Sequence, residues 1–101
     1  MEMNLNGSTC TLRLDEELAF KDHARFRELV KQGMQNKPND FHIDFTGTRF
    51  VDSAGLGMLM LVRQEAGENN CKVKLVQVGH EVMDIFRLVK FTELFDINAV
   101  A

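Results

Sequence analysis

A serine next to an aspartate is the residue in this chain that is best suited to carry chemistry. Ser53 follows Asp52 just before an apolar run, Leu56–Val62. This junction predicts that Ser53 begins a helix, where its hydroxyl can cap free backbone N–H groups and remain accessible to solvent. Helix N-termini also favour negative charge. The sequence therefore predicts that Ser53 can carry a phosphoryl group.

Two glycines follow this serine in the first turns of the predicted helix. Gly55 and Gly57 each destabilise a helix by about 1 kcal/mol relative to alanine, so both need a physical reason. Either they let another backbone approach closely, or they let the loop before the helix pack tightly. The pattern does not indicate a nucleotide site, because it lacks the third glycine of a dinucleotide fingerprint and the Gly-Lys-Ser/Thr of a phosphate-binding loop.

The same helix is apolar on more than one side. One arc should face a sheet, since its members recur at about 100° per residue. That arc contains Ala54, Met58, Leu59, Val62 and Ala66. Leu56 and Met60 lie on a different arc, beside Arg63 and Gln64. Either these two side chains form a docking patch beside Ser53, or a later helix or the tail covers them.

The remaining reactive side chains do not predict an enzyme. A serine nucleophile on an elbow needs glycine two residues earlier, and that position is Val51. Neither cysteine has a partner at zinc-site spacing. The histidines are also isolated from one another: His23, His42 and His80. The sequence therefore predicts a protein that is not an enzyme and that has no metal ion or other cofactor.

Composition narrows the class of protein further. The chain has 101 residues, of which 45% are hydrophobic and 27% charged, which predicts one globular domain over residues 1–101. Its net charge of −3 disfavours nucleic acid as a partner. It has neither an apolar run of roughly 20 residues nor a secretory signal. We therefore expect no membrane insertion, a cytoplasmic location, and reduced thiols at Cys10 and Cys71, with a disulfide between them as the minor alternative.

Hydrophobic periodicity predicts alternating strands and helices. The predicted elements are a strand at Ser8–Leu14, a short strand at Leu18–Phe20, a helix from about Asp22 to Asn36, a strand at Phe41–Phe45, a helix from Ser53 to about Ala66 that is stopped by Gly67, a strand at Lys72–Val78, a helix after Gly79 with Val82, Ile85, Phe86 and Val89 on one face, and a last short strand within Phe91–Ile97. This order implies an α/β fold with a mostly parallel or mixed sheet and crossover helices.

The stretch Phe50–Gly57, with the sequence FVDSAGLG, resembles the signature of the STAS domain family. More narrowly, it is similar to the bacterial anti-sigma-factor antagonists, and the resemblance extends from Ser8 to Ile97. It implies the STAS fold, a small mixed β-sheet flanked by helices on one side. The segment Leu14–Phe20 departs from the family, because it lacks the glycine of a Gly-x-Leu-Asp pattern. That departure leaves the identity of the partner open.

The resemblance also implies a function. Ser53 would be the regulatory phosphorylation site of a partner-switching module in transcription regulation. An anti-sigma factor/serine kinase of the ATPase type would phosphorylate it, and a metal-dependent serine phosphatase would remove the phosphate. Unphosphorylated, the protein would bind that kinase; free, it is expected to be a monomer. The predicted partner-binding residues are Asp52, Ser53, Ala54, Gly55, Leu56, Gly57 and Met60.

An alternative within the same family is a STAS subunit that does not switch. Such a subunit belongs to a lipid-transport ATPase complex. In that case the same loop would be a docking surface, and Ser53 would only cap its helix.

Overall fold

The computed structural model describes residues 1–100 of the chain. In chain order the strands are β1 (Glu2–Asn6), β2 (Thr9–Arg13), β3 (Glu17–Leu18), β4 (Asp40–Asp44), β5 (Phe50–Val51), β6 (Lys72–Val78) and β7 (Asp96–Ala99). The helices are α1 (His23–Gln35), α2 (Ser53–Glu68) and α3 (His80–Leu88), with 3-10 turns at Phe20–Asp22 and Phe91–Glu93. The main sheet has the order β1-β2-β4-β6-β7, and β3 pairs separately with β5.

The register of the sheet separates an apolar face from a polar face. Leu12 lies opposite Ile43, which lies opposite Leu75, and all three side chains are fully buried. One residue earlier on each strand, the row is polar and partly exposed: Thr11, His42 and Lys74. Because side chains alternate along a strand, only one face of the sheet contributes to the core.

The helices cover that apolar face. Each contributes large side chains to the same buried cluster, including Phe26 from α1, Leu59 from α2 and Phe86 from α3. Only β1 is antiparallel to its neighbour in the main sheet, and the other pairs there are parallel. The predicted α/β fold, a small mixed sheet flanked by helices on one side, is therefore confirmed.

Two strands were missed by the sequence reading. β1 forms a hairpin with β2 through Gly7, whose φ is +62°, but its asparagines favour turns over strands. β5 has two residues and exists only because it pairs with β3, where Glu17 lies opposite Phe50. The predicted short strand at Leu18–Phe20 ends earlier than expected, because Phe20 starts a 3-10 turn.

The ends of the helices also differ from expectation. Gly67 does not stop α2, which continues to Glu68. Instead Asn70 adopts a left-handed conformation with φ +54°, and the Cys71 amide donates to the Ala66 carbonyl at 2.8 Å. These are the features of a Schellman motif, in which asparagine can replace glycine. In the third helix, Val89 lies past the end and is 39% exposed, so it is not on the buried face as predicted.

The two cysteines are buried and free, so the disulfide alternative is not found. They are separated by β4, because Cys10 lies opposite Phe41 and Phe41 lies opposite Val73, two residues after Cys71. Burial raises the pKa of the Cys10 thiol. Burial is also the largest cause that raises the pKa of the Cys71 thiol, followed by the nearby Asp40 carboxylate. Both groups therefore stay protonated to higher pH than an ordinary thiol.

We predict that both thiols resist alkylation while the protein is folded. Since the thiolate is the nucleophile, a raised pKa and burial should slow the reaction with iodoacetamide at pH 8 by roughly ten-fold or more relative to the unfolded chain. Timed quenching followed by peptide mass spectrometry measures each site, and the same protein in guanidinium chloride is the reference. Equal rates in the folded and unfolded states would contradict the burial of these side chains.

Candidate functional site

Ser53 is the first residue of α2, as the sequence predicted, and its side chain is exposed. The prediction that its hydroxyl caps the helix is wrong. Asp52 is the N-cap: its backbone is extended, and its Oδ1 accepts a hydrogen bond from the Gly55 amide at 2.7 Å. Within residues 1–100 the Ser53 hydroxyl makes no hydrogen bond to another side chain or to the backbone. It is therefore available to a modifying enzyme.

The Asp52 side chain joins the start of α2 to the segment after β3. Its Oδ2 accepts a hydrogen bond from the Phe20 amide at 3.2 Å, and its own amide donates to the Leu18 carbonyl at 3.2 Å. Leu18 also lies opposite Val51 in the β3–β5 pair. The Phe20 backbone is therefore tied to the residue that directly precedes Ser53.

Gly55 and Gly57 differ in how closely other atoms approach them. A Cβ at Gly55 would overlap the Leu18 carbonyl oxygen and lie 2.8 Å from Cγ1 of Val51, so this position requires a close approach of backbone. The expectation of a tight contact is confirmed for Gly55. It is wrong for Gly57, where a Cβ would meet nothing within 4 Å. Gly55 is buried, so it lies beneath the exposed face of the helix start.

An exposed stripe follows Ser53 along α2. It contains Ser53, Gly57, Met60 and Leu61, spaced at one and two helical turns. Of the two side chains considered for a docking patch, Met60 is 37% exposed and Leu56 packs partly against the core. Ala54 is half-buried.

Leu61, which is 51% exposed, was not selected from the sequence. The helix is apolar nearly all the way round, so the sequence has little contrast to show which leucine faces solvent. The arc predicted to face the sheet is buried from Met58 onwards: Met58, Leu59, Val62 and Ala66.

The exposure of two aromatic side chains was also not predicted from the sequence. Phe20 is 73% exposed and Phe50 is 50% exposed, although most of the eight phenylalanines are in the core. The Phe20 ring stacks on His23, with ring centroids 6.2 Å apart and planes 21° apart. Phe20 starts the 3-10 turn that follows β3, and Phe50 belongs to β5; both segments lie next to the start of α2. The only sequence signal for these two residues is that each lies in a short apolar run beside a turn.

The start of α2 can accept more negative charge. The Gly55 amide donates to Asp52 Oδ1, and the Leu56 amide donates to the Asp52 carbonyl at 3.0 Å. Within residues 1–100, the amides of Ser53 and Ala54 have no acceptor. These amides, together with the helix dipole, favour an anion on the Ser53 oxygen. The neighbouring Asp52 carboxylate opposes it.

No group of three or more histidine, cysteine or acidic side chains in residues 1–100 is placed to hold a metal ion. No hydrogen bond in the same range joins Ser53 to His42 or His80. Likewise, none of the helices described there combines the length and apolar character that crossing a bilayer requires.

Comparison with known proteins places this geometry in a family. The STAS domain model matches residues 1–100. A STAS-domain containing protein of Pseudomonas aeruginosa (strain UCBPP-PA14) is 29% identical over 93 residues, which are 92% of this chain and 91% of that protein.

Two solved structures share the fold. One, from Thermotoga maritima and provisionally described as an anti-sigma factor antagonist, superposes with a TM-score of 0.86 at 17% identity, covering 98% of this chain and 86% of that one. The other is the anti-sigma factor antagonist SpoIIAA in its unphosphorylated form, with a TM-score of 0.74 at 17% identity and coverage of 99% and 87%.

The two glycines provide a matched test of the packing at this site. We expect Gly55→Ala to destabilise the protein by about 2 kcal/mol or more, because the Leu18 carbonyl is backbone and cannot move aside cheaply. Gly57→Ala should instead stabilise it by about 0.5–1 kcal/mol, since alanine favours the helix and meets no neighbour. Urea denaturation followed by circular dichroism measures both. Equal effects of the two substitutions would show that Leu18 does not pack on α2 as described.

Proposed function

The chain belongs to the STAS domain family, and on that basis we propose that it is an anti-sigma-factor antagonist switched by phosphorylation of Ser53. In the unphosphorylated state it binds an anti-sigma factor/serine kinase of the ATPase type. That kinase, supplied with ATP and Mg²⁺, transfers a phosphoryl group to the Ser53 oxygen and then releases the protein. A metal-dependent serine phosphatase removes the group and restores binding.

The observation that carries this proposal is that Asp52 caps α2, whereas the Ser53 hydroxyl does not. Asp52 Oδ1 accepts a hydrogen bond from the Gly55 amide at 2.7 Å and so caps the helix. The exposed Ser53 hydroxyl is therefore not required for the fold. A structural helix-capping serine would be engaged with the backbone amides of its own first turn. Here that role belongs to the neighbouring residue, which supports a role for Ser53 in modification.

Charge explains how one phosphoryl group can act as a switch. Phosphoserine carries about −1.5 to −2 charges at pH 7. In the free protein, water and the helix N-terminus both stabilise that charge, so the fold tolerates it. In a complex the same charge would be removed from water against the partner, and an uncompensated buried charge is strongly destabilising. Phosphorylation should therefore weaken binding and leave folding nearly unchanged.

The comparisons support the general class of this function. Structural relatives of the chain are described as anti-sigma factor antagonists, and one of them is described as being in an unphosphorylated form. Their identity to this chain is low, so they support the fold and leave the switch itself to experiment. The more closely related Pseudomonas protein is described only by its STAS domain.

The switch can be tested with matched serine variants. We expect Ser53→Asp to weaken binding to the cognate ATPase-type kinase by roughly ten-fold or more, because it places a carboxylate in the interface. Ser53→Ala should keep wild-type affinity. Ser8 is the only other serine and is exposed in the β1–β2 turn, so Ser8→Asp adds the same charge elsewhere and should bind normally. Isothermal titration calorimetry with each purified kinase of this type from the same genome measures the affinities.

Modification is measured in the same proteins. Intact-mass analysis after incubation with kinase, ATP and Mg²⁺ should show one added phosphoryl group on wild type and on Ser8→Asp, and none on Ser53→Ala. Equal affinities of Ser53→Ala and Ser53→Asp, with no phosphoryl transfer to the wild type, would contradict the switch. That result would favour the non-switching alternative, in which this surface only docks.

A further inference from the structure

We propose that the outer edge of β1 pairs with the same edge of a second copy of this chain, so that two copies form a weak two-fold dimer with one continuous sheet. The sequence predicts a monomer, because it shows no spare apolar face. Pairing between strands uses backbone groups and requires no such face. The inference is independent of the proposed function, since it involves residues of β1 and none at the start of α2.

The outer edge of β1 is open. β1 lies at one end of the main sheet and pairs there with β2 alone. The two strands are joined by the two-residue turn Gly7-Ser8, so Asn6 and Thr9 form a hydrogen-bonded pair and such pairs alternate from there. By this alternation Met3 and Leu5 direct their backbone N–H and C=O groups outwards. Within residues 1–100, no turn, loop or cap of the backbone bonds to these groups.

This edge also lacks the usual protection against pairing. Edge strands are commonly blunted by lysine, proline or a bulge. β1 has five residues in regular register, with the sequence EMNLN, and contains none of these features. The opposite edge of the sheet differs, because the register of β6 and β7 is irregular between Leu75 and Val78, and Gln77 there has φ +57°. Of the two free edges, β1 is therefore the regular one.

A two-fold axis through Asn4 makes the β1 edge complementary to itself. Met3 then lies opposite Leu5 of the second copy in a hydrogen-bonded pair, and Asn4 lies opposite its own copy in a non-hydrogen-bonded pair. At the ends of the strand, Glu2 lies opposite Asn6 of the second copy. Since Glu2 is the only charged residue in β1, no like charges meet across the pair.

The same register covers exposed apolar surface. Leu5 is 48% exposed, although it lies opposite the fully buried Cys10 and so belongs to the side of the sheet that carries the core. Met3, on the same side, packs partly against the core. Pairing brings Leu5 of each copy against Met3 of the other. The dimer therefore removes apolar surface from water in addition to forming backbone hydrogen bonds.

The helices leave room for this arrangement. A Cβ at Gly33 of α1 would lie at most 3.0 Å from atoms of Met3, Cys10 and Phe41. These three residues belong to β1, β2 and β4, so α1 lies above the middle strand, β2. In the dimer, β2 and its copy are three strand spacings apart, about 14 Å. Packed helices need only about 8–10 Å between their axes, so the two copies of α1 fit on the same side of the sheet.

Asparagines on the two free edges provide a matched test in solution. Asn4→Lys places two like charges opposite each other in the dimer, whereas Asn98→Lys adds the same charge at an exposed position of β7. Sedimentation equilibrium at concentrations up to about 1 mM suits a small, weak interface. We expect the wild type and Asn98→Lys to dimerise alike, and Asn4→Lys to raise the dissociation constant by at least about ten-fold. A wild type that stays monomeric over this range, or equal effects of the two lysines, would overturn the dimer.

Mixing opposite charges tests the register. Asn4→Glu repels its own copy as Asn4→Lys does, but an equimolar mixture of the two variants pairs a lysine with a glutamate. We expect each variant alone to be monomeric and the mixture to dimerise at least as strongly as the wild type. Circular dichroism of each variant checks that the fold is retained. A mixture that stays monomeric under conditions where the wild type dimerises would show that Asn4 does not lie on the axis, and the pairing would be wrong.

A disulfide between copies measures the same geometry directly. Asn4→Cys places two thiols across the axis, where Cα atoms of a non-hydrogen-bonded pair are about 4.5 Å apart and a disulfide can form. Asn6→Cys is the control, because its two copies would be about 14 Å apart. With oxidised glutathione we expect Asn4→Cys to form a covalent dimer at least about ten-fold faster than Asn6→Cys on non-reducing gels. The native cysteines are buried and contribute little background. Equal rates for the two variants would contradict the two-fold pairing.

Discussion

The rest of the site depends on the two hydrogen bonds that the Asp52 carboxylate accepts. One of its oxygens caps α2 through the Gly55 amide, and the other accepts the Phe20 amide. A single side chain thus fixes the direction of a helix and the position of a loop that lies 32 residues earlier in the chain. The close contact of Gly55 with the Leu18 carbonyl completes the junction, since any larger residue would push the two segments apart. Without this junction, Ser53 and Phe20 would have no defined relation.

Because Asp52 takes the capping role, the switch that we propose would separate stability and signalling at adjacent residues. The fold uses the buried side of the junction, which comprises Val51, Gly55 and Leu18. The solvent side retains the exposed Ser53, whose hydroxyl is the proposed site of modification. Such a separation suits the proposed switch, since a charge added at the surface can change affinity without disturbing the packed core.

The exposed apolar residues follow the same logic. Phe20, Phe50, Met60 and Leu61 together leave more apolar surface around the start and the exposed stripe of α2 than the fold requires. An isolated exposed apolar residue is ordinary, whereas a group of them is the kind of surface that the proposed binding of a partner would use. The opposite face of the sheet is different in character, with the polar row of Thr11, His42 and Lys74.

The sequence by itself determined the elements whose hydrophobic pattern is local. The apolar face of α1, the central strands β4 and β6, and the position of Ser53 at the first residue of a helix follow from periodicity and from residue type alone. The signature around Ser53 was also enough to indicate the family. Each of these features depends on neighbours within a few residues, so no knowledge of the folded chain was needed.

Tertiary structure decided the features that depend on distant segments. β5 becomes a strand only by pairing with β3, and Gly55 is required only because Leu18 packs against it. From the local sequence either Asp52 or Ser53 could cap α2, since aspartate is as good a cap as serine. The second hydrogen bond, from the Phe20 amide to Asp52, favours aspartate, and it forms only because the fold brings Phe20 to this position. Likewise, α2 is apolar nearly all round, so only the packed neighbours determine that Leu61 faces solvent while Leu56 is partly covered. Local pattern specifies an element, whereas the exposure of each side chain is set by what the rest of the chain places beside it.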